Sequence, residues 1–174
     1  GITKLDVSNA TFVRFYTNIA ADSLGGGNSN GPSVLIANLD NNIVSNDLII
    51  ASPLSDFNGK ANAGSVYVIN DINTLTGFVD INKSTNYLTR LVGSRAQDQI
   101  GNSLSGETGL VLANTDGNTG ANDLFIAAPL ADNAAANSGA VYFIRDVNTL
   151  SGLFDLNGSV SFSALRQGGS TNDG

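Results

Sequence analysis

The chain is built from two copies of one unit. "ANLDNNIVSNDLIIASPLSD" (Ala37–Asp56) recurs 76 residues later as "ANTDGNTGANDLFIAAPLAD" (Ala113–Asp132), with 12 of 20 positions identical. Further on, "GSVYVINDINTLTG" (Gly64–Gly77) matches "GAVYFIRDVNTLSG" (Gly139–Gly152) at an offset of 75, one residue having been lost in the loop between. Upstream, Arg14, Asp22 and Gly25 match Arg90, Asp98 and Gly101. Self-similarity at a fixed period is the mark of a repeat architecture, in which one supersecondary unit buries its apolar face against the next. The repeats divide the chain into four parts: the last strand of a preceding unit with its connecting loop (1–28), a first unit (29–104), a second unit (105–168), and the start of a truncated third (169–174).

Each unit reads as four short strands between turns. "SVLIAN" and "GLVLAN" lead into Asn/Asp-rich loops, "DLIIASP" and "DLFIAAP" follow them, then "SVYVIN" and "AVYFIR", and last "NYLTRLVG" and "SVSFSALR". All are β-branched or aromatic runs of strand length bounded by Gly, Asn or Pro. "TFVRFYT" near the N-terminus is the same final strand, belonging to a preceding unit. No segment keeps a helical period over three turns; "DNAAANSG" is alanine-rich but broken by Asn and Gly, and reads as a loop. Between the third and fourth strands, "INTLTGFVDIN" and "VNTLSGLFDLN" predict a structured excursion whose Leu75, Phe78, Leu150 and Phe154 cap the core. The expected fold is all-β: two four-stranded antiparallel blades, part of a β-propeller or of a larger β assembly.

The loops carry the candidate chemistry. In the second unit small oxygen-bearing side chains alternate at Asn114, Asp116 and Asn118, followed by the main-chain carbonyl near Gly120 and by Asn122 and Asp123. The first unit repeats this with Asn38, Asp40, Asn42, the carbonyl near Val44, Asn46 and Asp47. A hard divalent cation takes six to eight oxygens, and a tight loop supplies them when alternate residues point inward. The expected ion is Ca²⁺ at modest affinity, since each loop offers few carboxylates; Mg²⁺, with its octahedral demand, suits a long loop less well. The same residues also build Asx turns with no metal, so both readings stand at this point.

Composition excludes several functions. There is no His and no Cys, which removes Ser–His and Cys–His nucleophiles, histidine metal sites and disulfides together. Asp56 and Asp132 could form a carboxylate pair, but they occupy equivalent places in successive units, and repetition accounts for them. "SLGGGNSNG" lacks the Lys and the helix of a phosphate-binding loop. A net charge of −7 with scattered Lys and Arg argues against nucleic acid as a partner. No run approaches the roughly 18 to 20 apolar residues of a membrane span. The absence of Cys is compatible with a reducing cytosol or with secretion; low Lys, abundant Asn at 23 residues and few oxidisable residues suit an extracellular or cell-surface setting. The first residue is Gly rather than Met, so a processed protein or an excised piece of a longer one is expected.

In the order of its motifs, "GSRAQDQIG", "NTDGNTGANDLFIAAPLAD" and "NSGAVYFI", the chain resembles the FG-GAP repeat, the blade motif of the integrin alpha-subunit propeller and of many bacterial surface proteins. The resemblance covers nearly the whole chain, twice over. It implies four-stranded blades, Ca²⁺ in the loop between first and second strands, and propellers usually of about seven blades. This chain departs from the pattern in a loop one residue longer, in Asn at its first position, and in Leu24-Gly25, Ile100-Gly101, Ala51-Ser52-Pro53 and Ala127-Ala128-Pro129 where the family often writes F-G and G-A-P. Two blades leave open edges and apolar faces, so further blades of the same protein or other copies of the chain are expected as partners, with a surface protein or a glycan as ligand. The expected function is a non-enzymatic calcium-binding module for adhesion, ligand binding or scaffolding. The alternatives are a structural subunit of an extracellular filament, sheath or surface layer, and the accessory domain of a secreted hydrolase.

Overall fold

Runs of β-branched and aromatic residues set between turn residues become eleven strands in the computed structural model, which describes residues 12–26, 33–104, 106–118, 122–132, 135–156 and 163–167. They are β1 (Val13–Tyr16), β2 (Val34–Ala37), β3 (Asp47–Ser52), β4 (Ser65–Ile69), β5 (Gly77–Asp80), β6 (Thr89–Val92), β7 (Leu110–Ala113), β8 (Asp123–Ala128), β9 (Ala140–Ile144), β10 (Gly152–Asp155) and β11 (Ser163–Gln167). The helical residues described are two three-residue 3₁₀ turns, Ile72–Thr74 and Val147–Thr149. No described helix is long and apolar enough to cross a membrane. The opening of the expected third unit, 169–174, lies outside the described residues.

The fold is all-β, and each unit is a four-stranded antiparallel meander, β2-β3-β4-β6 in the first and β7-β8-β9-β11 in the second. Every strand expected from the repeat is present. The excursions do more than cap. Each contains an additional strand, β5 or β10, which pairs in parallel with the last strand of the unit before it: β5 with β1, and β10 with β6. The first sheet therefore has five strands in the order β10-β6-β4-β3-β2, one of them supplied by the second unit.

The two parallel pairings share one register. Gly77 faces Val13 as Gly152 faces Thr89, and Phe15 faces Val79 as Leu91 faces Phe154. The bonds at their ends also correspond: Gly77 and Ile81 donate N–H to the carbonyls of Phe12 and Tyr16, and Gly152 and Leu156 to those of Leu88 and Val92. β1 thus pairs with β5 in the register in which the first unit's fourth strand, β6, pairs with β10.

The main core lies between the sheets. Ile49, Ala51, Val66 and Val68 on one face of the first sheet pack against Leu124, Ile126, Tyr142 and Ile144 of the second, with Val147 and Leu156 closing the rim. A second cluster covers the opposite face of the first sheet, and its members Leu48, Ile50, Tyr67, Ile69 and Ile81 are the repeat counterparts of that second-unit set. Phe15, Leu24 and Tyr87 lie over it. Of the four residues expected to cap the core, Leu75, Leu150 and Phe154 pack against these clusters. Phe78 does not: it is 66% exposed and makes an edge-to-face contact with Phe12, because on β5 the inward position falls to its neighbour Val79.

Candidate metal centres

The Asn/Asp loops join β2 to β3 and β7 to β8, and side chains that hydrogen-bond their own main chain shape them. The Asp40 carboxylate accepts the Asn42 N–H at 2.9 Å, and the Asn42 amide oxygen accepts that of Val44 at 3.2 Å, two successive Asx turns. In the second loop Asp116 accepts the N–H of Asn118 at 3.0 Å, and Asn114 that of Gly117 at 2.8 Å. The first Asn of each loop spans it, with Nδ2 donating to the carbonyl of Asn42 or Asn118.

The anchor of each loop is the Asp that opens the following strand. Asp47 is fully buried; its Oδ2 accepts the Leu39 N–H at 2.6 Å and its Oδ1 accepts that of Asp71 at 2.8 Å. Asp123 repeats both contacts, with Thr115 N–H at 2.9 Å and Asp146 N–H at 3.0 Å, and it also takes the Thr115 hydroxyl. Burial pushes the Asp123 carboxyl up. The Thr115 hydroxyl, the two amides and the nearby Arg145 charge together outweigh burial and hold it below the usual carboxylate range. A depressed carboxyl stabilises the fold at neutral pH, and that contribution is lost as acid protonates it below the unfolded-chain value. In chelator, Asp123→Asn is expected to melt below the parent at pH 7, with the gap narrowing as pH falls through the carboxylate range; a gap that widens in acid would contradict this account.

A third carboxylate completes each cluster, and the loop sequence alone did not point to it. Asp71 and Asp146 follow β4 and β9 in left-handed backbone, φ 53° and 47°, at the start of the 3₁₀ turns. Asp tolerates that conformation better than most residues. The result is two groups, Asp40, Asp47 and Asp71, and Asp116, Asp123 and Asp146, whose carboxylate oxygens lie within 4.8 Å of one another. Asn42 and Asn118 bridge to the newcomers, their Nδ2 donating to Asp71 and Asp146 at 2.6 and 3.2 Å.

Around the remaining expected ligands, main-chain carbonyls tie the loop to the 3₁₀ turn. The carbonyl of Val44 accepts Asn73 Nδ2, while those of Asn46 and Asn122 accept the N–H of Ile72 and Val147. Gly120 lies outside the described residues. Three carboxylates this close repel one another by roughly 1 to 4 kcal/mol per pair, depending on how much water screens them. The donors are all hard oxygens, and Asn38 Oδ1 in the first loop is buried without a hydrogen-bond partner. Such a set suits Ca²⁺ better than a softer metal. Comparison with known protein families and with curated proteins finds no match for this chain.

Proposed function

We propose that the chain is a non-enzymatic, calcium-binding β-repeat module of the cell surface or extracellular space, of the FG-GAP type that its motifs resemble, used for adhesion, ligand binding or scaffolding. One observation carries the reading: each loop gathers a third carboxylate from 24 or 23 residues downstream, and does so in both units. Asx turns would shape the loops without Asp71 or Asp146; a cation gives the convergence a purpose. Asp40, Asp47 and Asp71 would hold one ion, with Asn38 as the amide ligand, and Asp116, Asp123 and Asp146 the other.

Calcium is expected to raise the melting temperature modestly. At a Kd of ~1 mM, typical of extracellular modules, a tenfold excess adds about 1.4 kcal/mol per site, a shift of a few degrees. Asp71→Ala and Asp146→Ala should each remove part of the shift, as should Asp40→Ala and Asp116→Ala, whereas Asp56→Ala, outside both clusters, should leave it intact. Identical melting curves in chelator and in excess calcium would sink the reading and leave the loops as turns held by side-chain amides.

A further inference from the structure

We propose that copies of this chain join head to tail by strand exchange, β11 of one copy displacing β1 from its place beside β5 of the next. This inference does not rest on calcium. It starts from the parallel pairing, which the chain makes twice in one register, β5 with β1 and β10 with β6. The two are unequal in support. β6 is bonded on its other edge to β4 and belongs to a five-stranded sheet, whereas β1 and β5 form a sheet of two, with no further strand among the described residues. A two-stranded ribbon is marginal by itself, and parallel pairing is the weaker kind.

β11 has the support that β1 lacks. It is bonded to β9, and its outer edge carries no strand among the described residues. Ala164 stands opposite Tyr142 as Arg90 stands opposite Tyr67, and Arg166 opposite Val141 as Leu91 opposite Val66, with a bulge between. In this register β11 takes the place of β6, and therefore of β1. Exchange would give the order β5-β11-β9-β8-β7, the same as β10-β6-β4-β3-β2 within the chain.

The sheet faces agree with the edges. Ile49, Ala51, Val66 and Val68 are closed off by the second unit; of their counterparts, Phe125, Ala127 and Val141 remain half-buried and Phe143, stacked on Phe125, is buried. The set that closes them within the chain is repeated on the far side of the first sheet, beneath β1. A second copy offering that face would continue an interface the chain already makes, which is why the occupant is another copy and not an unrelated protein. Such a contact uses different surfaces on its two sides, so each pairing leaves one β11 and one β5 for the next, and growth ends in a ring or continues as a filament.

The absence of native cysteine makes disulfide mapping clean. Copies with Phe78→Cys, mixed with copies carrying Ala164→Cys and oxidised, are expected to yield a mixed disulfide dimer, because Phe78 faces Arg14 as Leu153 faces Arg90. Thr76→Cys, two residues out of register, should yield about tenfold less, since a disulfide cannot reach that far without backbone movement. An internal disulfide in the Arg14→Cys/Phe78→Cys double variant locks β1 in place. The locked chain should sediment as a monomer, and reduction should return the concentration-dependent larger species formed by the parent. Equal dimer from positions 76 and 78, a parent that stays monomeric at every concentration, or a locked chain that associates as much as the reduced one would each overturn the proposal.

Discussion

Asp47→Ala is expected to lower the melting temperature by about 4 to 24 °C even in chelator, where there is no bound ion to lose. Its carboxylate holds two main-chain N–H groups, of Leu39 and Asp71, in a fully buried position. Alanine leaves both without a partner, at about 1 to 3 kcal/mol each, and a chain of this length loses roughly 2 to 4 °C per kcal/mol. Asp40→Ala is the comparison: exposed, and holding one Asx-turn bond, it should cost less than about 1 kcal/mol in chelator. Both should lose calcium response. Equal losses for the two in chelator would show that Asp47 is not the structural tie that joins the loop to the turn after β4.

Gly64→Ala should be far more damaging than the same change at its repeat counterpart, Gly139→Ala, which serves as the internal control. Both glycines have left-handed backbone, φ +82° and +73°, and both donate N–H to the equivalent carbonyl, of Ser55 or Ala131. The backbone penalty for alanine, roughly 1 to 2 kcal/mol, is therefore shared. The surroundings differ. A Cβ at Gly64 would lie 2.5 Å from the Ile100 nitrogen and 2.9 Å from its oxygen, in the segment that runs on into the second unit, whereas at Gly139 the nearest atom is the Pro129 oxygen at 3.4 Å. Main chain at 2.5 Å cannot turn aside as a side chain can. Urea unfolding should give a loss of more than about 4 kcal/mol for Gly64→Ala, against about 1 to 2 for Gly139→Ala. Similar losses would mean that the junction between the units is looser than the structure shows.

These two sites also mark where sequence reasoning reached and where it stopped. The strands were legible because each is a local run of β-branched and aromatic residues closed by Gly, Asn or Pro, and the repeat offered every run twice. β5 and β10 were not, since a parallel edge strand is defined by a partner in another unit, and "GFVD" and "GLFD" carry no local sign of it. Aligning them would have corrected the expectation for Phe78: its counterpart is Leu153, also exposed, while Phe154 corresponds to buried Val79. Asp71 and Asp146 were missed because a loop motif is read along the chain, and they reach the loop across the sheet. A sign was present in the copies, where Asn70 gives way to Arg145 but the acid after it is kept.

The borrowed strand in the first sheet sets a timetable for synthesis. β6 ends at Val92, yet the strand that covers its edge begins only at Gly152, after most of the second unit. At roughly 5 to 20 residues per second, the nascent chain carries that edge uncovered for about 3 to 12 seconds. The first unit is then a finished meander with an unfinished border, exposed to neighbouring chains on the same messenger. How long it stays so is decided by elongation speed between residues 93 and 151, a property of the codons and not of the folded protein.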